Sequence, residues 1–464
     1  MHKIIIDNTT FQVPDGTLLS EVLMKHGKTL PHLCGGRGTC KKCSVYVNGK
    51  EELSCQYKVK SDIEVFVPEN EDILSETGAN ESGETTENCC LALDIGTTTL
   101  ALALISLETN DIIKVVTRTN PQRTFGGDVM TRIERCRKNG VSELQKILID
   151  KINETVSELT SDSVDMMYVA GNTAMLHLFF GIDCSSLGVF PYTPVFLESR
   201  KEKGSDLGLK NIENVVSLPC ISAFVGADLV AGLNYAQMPT DNKYNLLIDL
   251  GTNAEIVLYN SDSLLCTSAA AGPCFEGANI TCGMSATDGA VYSYHRDGTF
   301  ETINNKSPQG ICGTGLVDII AELTENGTID ETGYMECGDF YLANNVKLTQ
   351  QDIRQFQLAK SAVYSAVSAL LKEKAISFED IGKLFISGGF SAKINIKNAV
   401  KVGLLPKELE EKCTPINNSS LLGTVKYACN KTDLSVYLKN ARYIDLSANQ
   451  YFSDLFIENM EFNK

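Results

Sequence analysis

The chain opens on short runs of alternating apolar and polar residues. Lys3-Ile4-Ile5-Ile6, a polar turn at Asp7-Asn8-Thr9, then Phe11 and Val13 predict a β-hairpin ended by Pro14-Asp15-Gly16. The period then lengthens. Leu18, Leu19, Val22 and Leu23 fall on one face of a helix over Thr17–His26, closed by Gly27. Ser44–Val47 and Ile63–Val67 read as further strands, with a turn at Asn48-Gly49. Apolar residues then thin out. Residues 69–88 carry seven acidic side chains and no Lys or Arg, spaced by Ser, Gly, Thr and Asn. Such a segment buries too little apolar surface to order itself, and its charges keep it extended. It reads as a flexible acidic linker between residues 1–68 and residues 89–464.

The pattern beyond the linker is different. An apolar strand from Leu91 delivers Asp94, a turn Gly96-Thr97-Thr98-Thr99, and a second apolar strand to Leu104. Some 155 residues later Leu246-Leu-Ile-Asp249-Leu-Gly251-Thr252-Asn253-Ala254-Glu255 repeats the design. A Thr-rich turn offers amides and hydroxyls to a phosphate, and the Asp can hold a magnesium ion through water. Either segment alone is equally a plain hairpin. The repeat implies two related halves facing one nucleotide, the second half beginning near residue 244. A third element, Leu384-Phe-Ile-Ser387-Gly388-Gly389-Phe390-Ser391, reads as a strand, a bare-backbone turn and a helix start.

Four cysteines sit in the glycine-rich stretch between the first helix and the next strands: Cys34, Cys40, Cys43 and Cys55. The first three follow a C-x5-C-x2-C spacing, and eleven residues separate the last two. Four thiolates from one loop and one following segment suit a 2Fe–2S cluster, and the intervening glycines let amides approach inorganic sulfide. Zinc remains an alternative, although its sites usually pair two C-x2-C knuckles. Disulfides fit poorly, because Met1-His2-Lys3 leads into a strand and not a signal peptide. The element order around the loop is that of a β-grasp domain.

Composition narrows the rest. The chain has 464 residues, room for two to four domains. A net charge of −17 argues against a nucleic-acid partner. No apolar run is long enough to span a bilayer, so no membrane role is expected and localisation is read as cytoplasmic. Of sixteen cysteines, twelve lie outside the loop, form no C-x2-C pair and read as small buried hydrophobes. His177, in an apolar helix, and His32, beside Cys34, read as structural.

The cysteine loop resembles that of plant- and adrenodoxin-type ferredoxins. Residues 89–464 resemble the acetate kinase, sugar kinase, chaperone-ATPase and actin superfamily. The combination resembles the reductive activators of corrinoid proteins, with support from Asn120–Asp128, Gly171–His177, Ala269–Gly277, Gly310–Asp318 and Tyr443–Ser447. The implied fold is mixed α+β and α/β: an N-terminal β-grasp ferredoxin domain, the linker, and a two-lobed ribonuclease-H-like ATPase domain with ATP between its lobes. The implied activity is an ATP-driven, one-electron reduction of inactive Co(II) to Co(I) on a corrinoid protein, fed by an upstream low-potential donor. Homodimerisation is a further expectation.

By matching motif, Cys34, Cys40, Cys43 and Cys55 hold the cluster. Asp94, Asp249 and Asp128 are the catalytic candidates. Gly96, Thr97, Thr98, Thr99, Gly251, Thr252 and Asn253 meet the phosphates of magnesium-bound ATP, Gly388 and Gly389 face adenosine, and Glu276 and Gly277 are further nucleotide candidates. Better-known members carry an extra middle domain where this chain has its linker. The alternatives are a small-molecule kinase with a regulatory cluster, using Asp128 or Asp228 as base; an ATP-driven electron donor to a dehydratase; and an actin-like scaffold.

Overall fold

Three β-sheets, of five, six and six strands, carry the architecture. The structure is a computed structural model that describes residues 1–6, 9–26, 28, 30, 36, 38, 43–67, 88–239, 241–343, 345–389 and 391–462. The proposed linker falls almost wholly outside these residues.

The N-terminal sheet has the order Thr9–Val13, His2–Ile6, Ile63–Phe66, Ser44–Val47, Lys50–Leu53. His2–Ile6 is antiparallel to its hairpin partner and parallel to Ile63–Phe66. Helix Leu19–Lys25 lays Leu19, Val22 and Leu23 into one small core with Ile4, Ile6, Val45 and Val65. This is the expected β-grasp arrangement. The helix starts two residues later than its periodicity suggests, because Leu18 stays extended and bridges Lys58. The edge strand Lys50–Leu53 has no apolar alternation to announce it and is held by pairing with Ser44–Val47.

The two six-stranded sheets repeat one plan. In the first, Cys89–Ile95, Thr99–Ser106 and Ile112–Thr119 form an antiparallel meander, and Val164–Gly171 and Ile212–Ser217 add in parallel on the other side. In the second, Tyr244–Leu250, Ala254–Tyr259 and Leu264–Ala269 form the meander, with Ile381–Ser387 and Cys413–Pro415 in parallel beyond it. The registers coincide as well: Asp94 stands beside Ala101 and Ala170, Asp249 beside Glu255 and Ser387.

Strand alternation sorts the second sheet between two cores. Leu246, Ile248 and Leu250 enter the core under helices Gly313–Glu325 and Gln350–Lys374, whereas Leu247 joins the core of the first sheet. Helix Ser419–Asn430 crosses the boundary. It follows the second sheet's strands in sequence, yet its Leu421, Val425 and Ala428 lie in the first-sheet core. It packs on helix Ala227–Ala236 so closely that a Cβ at Gly423 would lie 1.8 Å from the Ala231 carbonyl oxygen. Asn234 Nδ2 donates to the Gly423 carbonyl at 2.9 Å at the same crossing.

Candidate functional site

The tips of the two central hairpins face each other across a cleft of about 450 Å³, a size that suits a small-molecule ligand. The first tip is Gly96–Thr98, and the second is Gly251–Asn253. The first is anchored from behind. Asn120 Nδ2 donates to the Gly96 carbonyl at 2.8 Å, and the Asn120 amide donates to the Thr98 carbonyl at 2.9 Å. The guanidinium of Arg132, which is fully buried, donates to the Thr97 carbonyl and, at 3.0 Å, to that of Gly126. Asn172 Nδ2 donates to Thr97 Oγ1 at 3.2 Å. This bracing fixes the tip, as a ligand-binding turn requires.

Asp94 ends the first strand and is buried. Its Oδ1 accepts from Ser420 Oγ at 2.6 Å, and its Oδ2 from Asn418 Nδ2 at 2.8 Å. Asn418 is also the N-cap of helix Ser419–Asn430, accepting from the Leu421 amide at 2.8 Å. Glu276 joins the two tips. Its Oε2 accepts from Thr252 Oγ1 at 2.6 Å and from Thr98 Oγ1 at 3.3 Å.

Of the nucleotide and catalytic candidates, Asp94, Gly96, Thr97, Thr98, Thr99, Asp128, Asp249, Gly251, Thr252, Asn253, Glu276, Gly388 and Gly389 all line this one cleft. Gly277 does not. It is buried beneath Glu276, in a left-handed conformation with φ 75°. Gly388 has φ 118°, and a Cβ there would meet the Leu250 carbonyl oxygen at 2.1 Å, so only glycine fits. The helix expected after Gly389 is a single 3-10 turn, Ser391–Lys393. Asp128 caps helix Val129–Asn139, and both its oxygens are engaged by Thr131, from the amide at 2.8 Å and the hydroxyl at 2.7 Å. Asn172, Asp228, Glu255, Ser387, Asn418 and Ser420 also line the cleft, and none was among the sequence-derived site residues. Asp228 enters the sequence reading only through the kinase alternative.

Among the described residues the cleft wall holds six carboxylates and no Lys, Arg or His. Burial pushes Asp249 up to about 7, reinforced by Asp94 and opposed by the hydrogen bond with Ser387. Burial, then Asp249 and Asp94, pushes Asp228 up to about 7. Glu255 is raised well above the usual carboxylate range by burial and by these neighbours. Asp94 is raised by burial, against the bonds from Ser420 and Asn418. Crowded, desolvated carboxylates of this kind welcome a cation. Among the described residues no group of three or more His, Cys, Asp or Glu encloses an ion by itself. A cation held by these residues would need water and ligand oxygens to complete its shell, as magnesium commonly does.

In the N-terminal domain, Cys34 and Cys40 lie outside the described residues. Cys43 and Cys55 are buried thiols flanking the same end of the Ser44–Leu53 hairpin, where the Ser54 amide donates to the Cys43 carbonyl at 3.0 Å. Gln56 Nε2 reaches Cys55 Sγ at 3.8 Å and the Gly36 carbonyl at 2.5 Å, which draws the glycine loop toward the thiols. These residues fit a cluster site: two inward thiols, and a loop at Gly36 and Gly38 with φ of 78° and 76°.

Residues 4–75 match the 2Fe-2S iron-sulfur cluster binding domain. Residues 89–241 match the RACo middle region, and residues 243–464 match the C-terminal domain of RACo, the ASKHA domain. The chain carries the RACo domains. The corrinoid activation enzyme RamQ of Eubacterium limosum is 28% identical over 579 positions, covering 97% of each chain. The Co(II) methylated amine-specific corrinoid protein reductase of Methanosarcina barkeri is 26% identical over 402 positions, covering 76% of this chain and 72% of that one. A solved reductive activator for corrinoid, iron-sulfur protein superposes with a TM-score of 0.75 at 26% identity, covering 100% of this chain and 98% of the other. The two-lobed, actin- and sugar-kinase-like fold is thus the ASKHA fold of RACo. The residues matched to the RACo middle region form the first of the two repeated sheets. The 579 positions aligned with RamQ exceed the 464 residues of this chain, so at least 115 of them have no residue of this chain opposite.

Proposed function

We propose that this protein uses ATP to return a corrinoid protein from inactive Co(II) to Co(I), delivering one electron from its N-terminal domain. One observation carries the reading. A 2Fe–2S domain and an ASKHA cleft occur in one chain, in the order and over nearly the full length of a solved reductive activator.

Cys34, Cys40, Cys43 and Cys55 would hold the cluster, which supplies single electrons at potentials near about −400 mV in plant-type centres. In the cleft, Thr97, Thr98, Thr99, Thr252 and Asn253 offer donors to the phosphates, with Gly96 and Gly251 admitting them to bare backbone. Asp94 and Asp249 would hold a magnesium ion, through water, and the ion would offset phosphate charge. Gly388 and Gly389 leave room for adenosine. Asp128, held by Thr131, orients its helix toward the phosphates. Closure of two lobes around ATP would change the surface offered to the partner, so nucleotide state and partner state become linked. Residues 69–88 serve as the tether between the electron-carrying domain and the ATPase. A cytoplasmic location, an upstream low-potential donor and homodimerisation complete the reading. Among the described residues no helix is long and apolar enough to cross a membrane.

The test uses anaerobically purified, chemically reduced protein with a Co(II) corrinoid protein from the same host. Co(I) absorbance appearing only with magnesium and ATP supports the proposal. An intact cluster with no Co(I), across several corrinoid proteins, sinks it.

A further inference from the structure

The cleft poses an electrostatic problem. Among the described residues its wall presents six carboxylates and no basic side chain, yet under the reading above it must admit a polyanion. Magnesium and backbone amides supply part of the answer. Two guanidiniums stand just behind the first hairpin, on the segment Pro121–Arg132. Arg132 is committed, with donors placed on the carbonyls of Thr97 and Gly126 and near Gln122 Oε1. Arg123 is not. Its Nε is buried with no hydrogen-bond partner. It lies in the turn Pro121–Thr124, which Asn120 bolts to the backbone of Gly96 and Thr98. A buried donor left unpaired is costly and calls for an explanation.

Glu276 is the neighbour to consider. Its Oε2 takes the hydroxyls of Thr98 and Thr252, one from each hairpin tip. That is where an oxygen of a bound phosphate would sit. Its charge also acts on Arg123, opposing the lowering that burial imposes on the guanidinium.

We propose that Glu276 is a latch that stands in for a phosphate between the two hairpin tips, and that Arg123 is the cation that receives it when nucleotide enters. Resting on the nucleotide reading of the cleft, this makes Arg123 a positioning residue: it acts on the phosphate site through Glu276. The swap releases two threonine hydroxyls, moves one negative charge away from the arriving phosphates, and pairs the unsatisfied donor. It also distinguishes the latch from a direct ligand role for Glu276, in which its loss would weaken binding.

The test is calorimetric binding of magnesium–ADP and magnesium–ATP to the full-length chain. Glu276→Gln is expected to tighten binding, and Arg123→Gln to weaken it roughly tenfold, the scale of one charged hydrogen bond. In the Glu276→Gln background, Arg123→Gln is expected to have little further effect, and Arg123→Lys is expected to restore much of the loss in the parent. Weaker or unchanged binding by Glu276→Gln overturns the latch. So does an Arg123→Gln penalty of the same size in both backgrounds, which would place the guanidinium on the phosphates directly. Thermal melts of the nucleotide-free variants check that folding is intact; should Arg123→Gln unfold the chain, the Glu276→Gln result alone decides. If the parent chain binds neither nucleotide, the reading of the cleft falls and the latch with it, an outcome distinct from normal parent binding with inert variants.

Discussion

Ser420 and Asp94 are 326 residues apart in the chain, and their side chains meet at 2.6 Å. The bond ties the start of a late helix to the end of the first strand of the first lobe. It also lowers the affinity of Asp94 for protons, against the raising effect of burial. Ser420→Ala removes that brake, so Asp94 stays protonated to higher pH. If Asp94 works ionised, the acid limb of the ATP-hydrolysis profile moves to higher pH. A pH–rate profile of the variant beside the parent checks it; coincident limbs would remove Asp94 from the catalytic set.

Asp249 offers a separation of stability from activity. Its carboxyl is raised from 3.8 to about 7 in the fold. The folded state then holds more protons than the unfolded one between these values, so this group favours folding most below about pH 4 and progressively less up to pH 7. Asp249→Asn removes the penalty. The nucleotide-free variant is expected to gain roughly 1–2 kcal/mol at pH 8 and little at pH 4, while ATP hydrolysis is lost. Urea denaturation at both pH values reads this directly, and a variant less stable at pH 8 would contradict it.

Gly388 is a steric prediction. Its φ of 118° and the 2.1 Å approach of a Cβ to the Leu250 carbonyl oxygen leave no room for alanine. Gly388→Ala is expected to cost about 2–3 kcal/mol and to weaken nucleotide binding, whereas Gly389→Ala, which meets nothing within 4 Å, should leave the fold intact.

Cys43→Ala tests modularity. The thiol is buried in the N-terminal core, and its loss is expected to abolish cluster absorbance and electron delivery. Binding of magnesium–ADP should persist within about twofold. Loss of nucleotide binding in this variant would argue that the two domains are not independent.

Much of the site was legible because its parts are local. Asp94 and Asp249 announce themselves through an apolar strand, an acid and a Gly-Thr turn within a few residues, and the repeat of that pattern gave the two lobes. Gly388 was visible for a similar reason: glycine pairs mark places where backbone must come close. What stayed hidden depends on contacts across the chain. Asn418 and Ser420 look like an ordinary helix cap until the fold sets them on a carboxylate 324 and 326 residues away. Glu255 sits at an alternating strand position, and only the register opposite Asp249 shows that it faces the cleft. Arg132 lies in a polar, charged helix, where full burial of a guanidinium is the last thing a sequence pattern suggests.

The helix Ser419–Asn430 completes the core of a sheet whose strands were made some two to three hundred residues earlier. During synthesis, then, the first lobe emerges with an apolar face it cannot yet cover. Residues 89–241 made alone should be aggregation-prone despite containing all six strands of their sheet, and should be rescued by supplying the C-terminal half in trans. The two lobes look like a duplication in space, but in time they mature as one unit, and the last tenth of the chain decides when.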